Sequence, residues 1–278
     1  MCGFSGVVLK KSNKKLSDKI ELSLDKVIEG MNHRGPDDNG KFTHENIYLT
    51  HNRLSIIDLS ETGKQPMIDY TGQYVIVFNG EIYNYELLYN KYFSKNDKIN
   101  SKSDTSILIE MYKKFGKDCL NQLNGMFAFA IINLENNEIF LARDRFGEKP
   151  LYWINTDDYF AFSSELSGLR NLLPNLSLDI NQKSLFYYLT NGYVPSPFTI
   201  YENINMLDPA NFIEIKNFQD IIKSEFYWNL IKHDDTPVHD IENKIKNLFK
   251  QSVKSRLTSD VDVGMFLSGG IDSGSIMG

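Results

Sequence analysis

Met1-Cys2-Gly3-Phe4-Ser5-Gly6 opens the chain, and its reading decides the fold. A cysteine directly after the initiator methionine admits two interpretations. In one, Cys2 is a small buried hydrophobe at the head of a strand. In the other, Met1 is removed, as happens when the second residue is small, and one residue then bears both a thiol and a free α-amino group. An unperturbed α-amine has a pKa of about 7.7–8.0, so it serves as a base near neutral pH. A nucleophile with a built-in base suits covalent catalysis. The rest of the chain has to choose between the two.

The stretch runs on to Leu9 as a short apolar segment with glycines at 3 and 6, which predicts a buried strand open to close backbone approach. Apolar residues at helical spacing predict a helix over 16–31. His33-Arg34-Gly35-Pro36-Asp37 then reads as a structural turn packed near the site. Strands are expected over 47–54 and 73–78, the second a continuous apolar run that ends abruptly at Asn79-Gly80-Glu81. Helices are expected over 86–93, from a cap at Ser103 or Asp104 up to Phe115, and briefly around 119–123. Four short strands over 126–134, 138–143, 150–154 and 159–163 pair off around the charged turn Arg143-Asp144-Arg145-Phe146-Gly147. Further on, the pattern predicts a helix over 184–190, edge strands at 212–215 and 226–228, and a polar linker at 232–239. An amphipathic helix over 241–257 and a strand over 261–267 follow. That strand feeds Ser268-Gly269-Gly270-Ile271-Asp272-Ser273.

With 278 residues, 41% hydrophobic and 24% charged, the chain is an ordinary globular one, large enough for a sizeable core in one or two domains. A net charge of −6 without a basic block argues against a nucleic-acid partner. The two cysteines, Cys2 and Cys119, are far apart and have no metal-type spacing, so neither a disulfide framework nor a metal site is expected. No apolar run approaches ~18 residues and no leader pattern is visible, so no membrane span and a cytoplasmic location are expected.

Several short stretches have chemistry beyond their local structure. Amide hydrolysis by a thiolate passes through an oxyanion that needs aimed donors. The Asn79 side chain and the Gly80 N–H could supply two, although Asn-Gly after a strand is also a plain turn. Arg53 could bind a carboxylate through two parallel bonds, or be a surface arginine. Asp104 could hold an ammonium, or merely cap a helix. The loop of Ser268, Gly269, Gly270, Asp272 and Ser273, entered through Leu267, could cradle phosphate with its backbone N–H groups, or be a flexible tail.

Taken in order, Met1-Cys2-Gly3, His33-Arg34-Gly35-Pro36-Asp37, Arg53-Leu54-Ser55-Ile56, Asn79-Gly80-Glu81-Ile82-Tyr83-Asn84, Ser103-Asp104, Gly125-Met126-Phe127-Ala128-Phe129, Arg143-Asp144-Arg145-Phe146-Gly147 and the serine–glycine loop cover essentially the whole chain. Together they resemble the class II glutamine amidotransferases, in particular the glutamine-hydrolysing asparagine synthetases. The resemblance implies an α+β fold. Residues 2–215 would form a four-layer αββα N-terminal-nucleophile hydrolase sandwich, and residues 238–278 the start of an α/β pyrophosphate-loop synthetase domain.

It implies that Cys2 attacks the side-chain amide of glutamine, with its α-amine as base and Asn79 and Gly80 holding the oxyanion. Arg53 would grip the α-carboxylate, with Leu54 and Ile56 lining the site. Asp104 and Glu81, the latter through its backbone, would hold the α-ammonium. No cofactor is expected for that step. ATP and Mg2+, with aspartate as acceptor, belong to the longer synthetase, where Leu267, Ser268, Gly269, Gly270, Asp272 and Ser273 would bind ATP. A homodimer is compatible with the resemblance. Because the rest of that domain does not follow, this chain is expected to hydrolyse glutamine without forming asparagine. Rival readings are an amidotransferase for another acid, such as a sugar acid or a peptide carboxylate, and a non-catalytic ammonia-pathway binding module. Glutamine–fructose-6-phosphate and phosphoribosyl-pyrophosphate amidotransferases share the glutaminase half, but the serine–glycine loop speaks against them.

Overall fold

The computed structural model describes residues 1–101, 103–173, 175–216, 224–230 and 240–278. In chain order, strand β1 (Gly3–Leu9) is followed by helix α1 (Lys14–Gly30), β2 (Asp38–His44), β3 (Ile47–Arg53), β4 (Met67–Ile68) and β5 (Tyr74–Ile82). Helices α2 (Tyr85–Tyr92) and α3 (Asp104–Phe115) precede the strands β6 (Gly125–Asn133), β7 (Glu138–Arg143), β8 (Tyr152–Asn155) and β9 (Tyr159–Ser163). Then come α4 (Leu166–Leu172), α5 (Gln182–Asn191), β10 (Asn205–Met206), β11 (Asn211–Ile215), β12 (Ser224–Phe226), α6 (Ile241–Ser255) and α7 (Ile271–Met277).

The strands form two six-stranded sheets, ordered β10-β8-β9-β1-β3-β2 and β12-β11-β7-β6-β5-β4. All pairings within them are antiparallel. Side-chain alternation along the strands builds the layers. Phe4 and Val8 of β1 and Ile47 and Leu49 of β3 meet Val75, Val77, Ala128, Ala130 and Leu141 between the sheets. The odd residues Val7 and Leu9 instead pack outward, with Tyr48, against Ile20, Leu24 and Val27 of α1 and Leu169 and Leu172 of α4. On the far face Ile76, Phe127, Phe129 and Phe140 pack on Ile107, Leu108 and Met111 of α3 and Leu88 of α2. The result is an αββα sandwich.

Local chemistry explains where the elements start. Asn13 Oδ1 accepts from the Leu16 N–H at 3.1 Å and opens α1. Ser103 Oγ accepts from the Ser106 N–H at 3.2 Å and caps α3, so Ser103 is the cap and Asp104 is free for another task. Gly6 makes room for side chains of its flanking strands in the same sheet: a Cβ there would lie 2.3 Å from Phe162 Cζ and 2.7 Å from Leu49 Cδ2.

Some expectations are corrected. The strand expected to stop at Phe78 continues through Asn79, Gly80 and Glu81 to Ile82, because β6 pairs with it throughout. The strand at 212–215 is not an edge, since β11 lies between β7 and β12; the sheet thus continues past residue 215. Residues 261–267 form no strand, because a strand needs a neighbour for its ladder and none pairs with this stretch among the described residues. The linker expected at 232–239 lies outside the described residues. Strand β2 lacks an apolar pattern that announces it and is held by its register with β3, whereas helix α4, not among the expected elements, carries Leu166, Leu169, Leu172 and, at its C-cap, Leu173 at helical spacing. The predicted helix 241–257 forms as α6, with Ile241, Ile245, Leu248 and Phe249 all exposed. Among the described residues no helix is long and apolar enough to cross a membrane.

Candidate active site

Alternation also builds the site. Phe4 and Val8 face the space between the sheets, so Cys2, two residues before Phe4, points to the same side. Leu49 does so on β3, which brings His51 and Arg53 to that side. Val75 and Val77 do so on β5, which brings Asn79 and Glu81. One cleft at the mouth of the sandwich is accordingly lined by Cys2, Arg53, Leu54, Ile56, Asn79, Gly80, Glu81 and Asp104, residues that the sequence scatters over a hundred positions.

The Cys2 thiol touches one residue on both counts: Sγ accepts from the Leu54 N–H at 3.4 Å and lies 3.6 Å from the Leu54 carbonyl, to which it donates. Burial pushes the thiol pKa up, against the pull of the Leu54 N–H and the amino terminus. Burial lowers the pKa of the amino terminus itself. Arg34 Nε donates to the Cys2 carbonyl at 2.9 Å, and its Nη1 is held 3.0 Å from Glu165 Oε1, so the turn after α1 braces the N-terminal segment. His33 Nε2 meets the same carboxylate at 2.9 Å.

Asn79 is 1% exposed and its Nδ2 has no hydrogen-bond partner. A buried amide left without a partner costs about 1–3 kcal/mol and asks for a ligand. The N–H of Gly80 is open as well, at a residue that lines the same cleft. Gly80 lies opposite Phe127, whose own N–H donates to Asp144 Oδ2 at 3.2 Å and whose carbonyl accepts from the Asp144 N–H at 2.8 Å. Phe127 thus faces β7, and in an antiparallel ladder Gly80 then turns its N–H away from β6. On that edge β4 has already ended, opposite Val75 and Ile76. Position 80 has to be glycine, since a Cβ would lie 2.2 Å from the Met126 carbonyl oxygen.

Arg53 is buried, and its guanidinium donates to the carbonyls of Ser60 (3.2 Å), Ile57 (3.4 Å) and Asp58. Those contacts use three of the five N–H groups of a guanidinium. Gly63 lies flush against it, for a Cβ would come within 2.1 Å of Arg53 Nη2. Asp104 accepts from the Ile82 N–H at 3.1 Å and the Thr105 N–H at 2.8 Å. Burial nevertheless pushes its carboxyl up to about 7. Glu81 reaches the cleft by its side chain, whose pKa burial raises while Lys149 opposes. The expectation that Glu81 works through its backbone is corrected: its carbonyl oxygen looks across to β6, where a Cβ on Gly125 would meet it at 2.1 Å. Met126, from the stretch 125–129, lines the cleft as well, and so do Gln65 and Lys149, which no motif in the sequence marks.

The serine–glycine loop lies apart from this cleft. Ser268, Gly269, Gly270, Asp272 and Leu267 are exposed, and Ser273 is half-buried. Ser268 Oγ lies 3.1 Å from Ser273 Oγ and accepts from the Gly270 N–H at 3.4 Å.

A comparison with known families matches residues 1–228 to the glutamine amidotransferase domain. The chain belongs to that family. Residues 244–278 match the asparagine synthase family. A relative from Methanocaldococcus jannaschii, named a putative glutamine-hydrolysing asparagine synthetase 2, is 37% identical over 300 residues, spanning 100% of this chain and 56% of the relative. Asparagine synthetase 1 of Bacillus subtilis, also named glutamine-hydrolysing, is 35% identical over 277 residues, spanning 100% of this chain and 43% of the relative. The chain thus spans about half the length of these curated relatives. Among solved structures, a glutamine phosphoribosylpyrophosphate amidotransferase from B. subtilis, complexed with ADP and GMP, superposes with a TM-score of 0.56 at 17% identity. The match covers 81% of this chain and 49% of that one. That likeness shows a shared fold.

Proposed function

We propose that this chain hydrolyses the side-chain amide of glutamine and supplies ammonia within a glutamine-hydrolysing asparagine synthetase. The observation that supports it best is the unpartnered Asn79 Nδ2 beside the outward-turned Gly80 N–H, at the mouth that also holds Cys2. Two aimed donors in a buried site are what an oxyanion requires.

On this reading Met1 is removed and the freed α-amine of Cys2 takes the thiol proton. The thiolate bonds to the amide carbon, and the carbonyl electron pair moves onto oxygen, where Asn79 and Gly80 hold it. The oxyanion collapses, the C–N bond breaks, and ammonia departs with the proton returned by the α-amine. Water then cleaves the thioester to give glutamate and restore the thiol. Arg53 binds the α-carboxylate with its remaining N–H groups, Leu54 and Ile56 wall the site, and Asp104 with the Glu81 side chain holds the α-ammonium.

Residues 2–215, together with β12 that pairs with β11, form the glutaminase unit, and residues 238–278 the beginning of the second. The hydroxyls of Ser268 and Ser273 and the N–H groups of Gly269 and Gly270 are a donor set suited to a pyrophosphate group, which ATP would present there with Mg2+ near Asp272. The free thiols Cys2 and Cys119 favour a reducing compartment, the cytoplasm.

The test is ammonia and glutamate release by the purified chain, with intact mass measured in parallel. Activity lost in Cys2→Ala and a mature mass lacking Met1 are expected. Full activity in Cys2→Ala, or in protein that retains Met1, would sink the mechanism.

A further inference from the structure

Three N–H groups of β5, on Phe78, Gly80 and Ile82, face the same edge, since every second residue of a strand repeats its orientation. The outer two are taken. Phe78 N–H donates to Gln65 Oε1 at 2.7 Å and Ile82 N–H to Asp104 Oδ2 at 3.1 Å. The two acceptors are themselves linked: Gln65 Nε2 donates to Thr105 Oγ1 at 3.4 Å, and the Thr105 N–H donates to Asp104 Oδ1 at 2.8 Å. A closed ring therefore runs from Phe78 through Gln65, Thr105 and Asp104 to Ile82 and back along the strand. The Gly80 N–H lies in its gap. The peptide joining Phe78 to Asn79 is also gripped from the opposite sheet, by His51 Nε2 at 3.0 Å from the Phe78 carbonyl.

The surroundings leave Gln65 little freedom. It is 7% exposed, and its carbonyl lies so close to β2 that a Cβ on Gly40 would sit 2.1 Å from it. Burial pulls His51 down to about 4, so that imidazole stays neutral, with Nε2 the donor, over the working pH range.

We propose that Gln65 is a positioning residue for glutamine hydrolysis, the strut that fixes Asn79 and Gly80 relative to Asp104. Oxyanion donors and ammonium acceptor sit on different elements, strand β5 and helix α3. One glutamine molecule must satisfy both at once while its amide carbon meets Cys2. Asp104 itself ties the far end of β5 to the helix through Ile82; Gln65 adds the second tie, by its oxygen to the strand at Phe78 and by its amide to the helix at Thr105. Displacement of reacting groups by about 1 Å costs on the order of 10²-fold in rate, so the strut governs turnover through the groups it holds in place.

This inference rests on the proposed glutaminase reading, and the test separates the two. Glutamine hydrolysis is measured on the full chain, wild type and Gln65→Leu, Gln65→Glu and Thr105→Val. Rates are expressed per competent site, counted by covalent labelling of Cys2 with an electrophilic glutamine analogue. Gln65→Leu is expected to lose about 10–100-fold in kcat/KM per site. Gln65→Glu keeps an acceptor for Phe78 and another for the Thr105 hydroxyl, so its kcat is expected within a few-fold of wild type. Its added negative charge near Asp104 is expected to shift the pH dependence of KM to more alkaline values. Thr105→Val breaks the helix side of the strut and also removes the hydroxyl beside the Asp104 carboxyl; it is expected to raise KM several-fold with little change in kcat. Wild-type kcat and KM per site in Gln65→Leu, whatever its melting temperature, would overturn the proposal and leave the glutaminase reading standing. Should Gln65→Leu not fold, a wild-type KM in Thr105→Val together with an unshifted pH profile in Gln65→Glu overturns it as well. An inactive wild type overturns both.

Discussion

Replacing Asp104 with asparagine exchanges function for stability, and the size of the exchange follows from its surroundings. The carboxyl ordinarily titrates at 3.8, and burial raises it to about 7, with the N–H groups of Ile82 and Thr105 and the neighbouring Thr105 hydroxyl pulling the other way and Glu81 adding to the rise. Between those values the folded protein keeps a proton that the unfolded chain gives up. The stability linked to this group is therefore present at low pH and is lost as pH rises through 7. The loss comes to about 4 kcal/mol at pH 8 and under about 2 kcal/mol at pH 5. Asparagine does not titrate, but it has one acceptor oxygen where the carboxylate uses two, a pH-independent penalty of about 1–3 kcal/mol. The stability of Asp104→Asn relative to wild type should thus rise by roughly 2.5 kcal/mol from pH 5 to pH 8, which for a chain of this size is a widening of about 5–10 °C in melting temperature. Glutamine hydrolysis should fail in the same variant, because the ammonium finds no counter-charge. Thermal melts of both proteins at the two pH values, with glutamine KM from ammonia release, provide the measurement. A melting difference that stays constant or shrinks with rising pH refutes the assignment of Asp104 as a carboxylate held neutral by burial in the empty site.

Asn79→Ala should lower kcat by about 10²–10³-fold without lowering the melting temperature, since it removes an unpartnered buried amide; steady-state kinetics and a thermal melt check both halves. Gly80→Ala should be inactive and less stable, because its Cβ meets the Met126 carbonyl oxygen at 2.2 Å and Phe127 Cα at 2.7 Å; near-normal activity would mean that β5 and β6 are not so closely apposed. Arg53→Lys should raise glutamine KM by about tenfold or more with a smaller effect on kcat, because one ammonium cannot serve the three carbonyls at 57, 58 and 60 and a carboxylate as well; a glutamine titration reads this directly. Wild-type KM for glutamine should climb as pH falls below about 7, as Asp104 gains its proton; a flat profile from pH 6 to 8 contradicts the ammonium-binding role.

Much of the fold was legible because burial leaves a periodic trace. The sandwich-core strands β1, β5 and β6 stand out as apolar runs and helices α1 and α3 by apolar period, and β6 and β7 form the expected pair, joined by a turn in which Asn137 adopts φ 55. Cys2, Arg53, Asn79, Gly80 and Asp104 were legible as chemistry, and the structure gathers them in one cleft. What stayed hidden acts through the backbone. Gln65 and His51 hold the peptide groups of Phe78, and a glutamine or histidine bonded to a main-chain atom leaves no spacing to read. The direction of the Glu81 carbonyl depends on which ladder pairs are hydrogen-bonded, and that in turn on Asp144 capturing both polar groups of Phe127. The missing strand at 261–267 shows the converse: apolar residues set a tendency, but a ladder partner decides the outcome.

An uncovered strand edge invites a foreign strand to add to it. Here Gln65 and Asp104 occupy the N–H groups of Phe78 and Ile82 on β5, so on that edge a foreign strand would find the Gly80 N–H flanked by two that are already bonded. The catalytic cleft thus guards its own sheet against self-association, and loss of Gln65 is expected to favour intermolecular strand addition, with concentration-dependent scattering rising as activity falls.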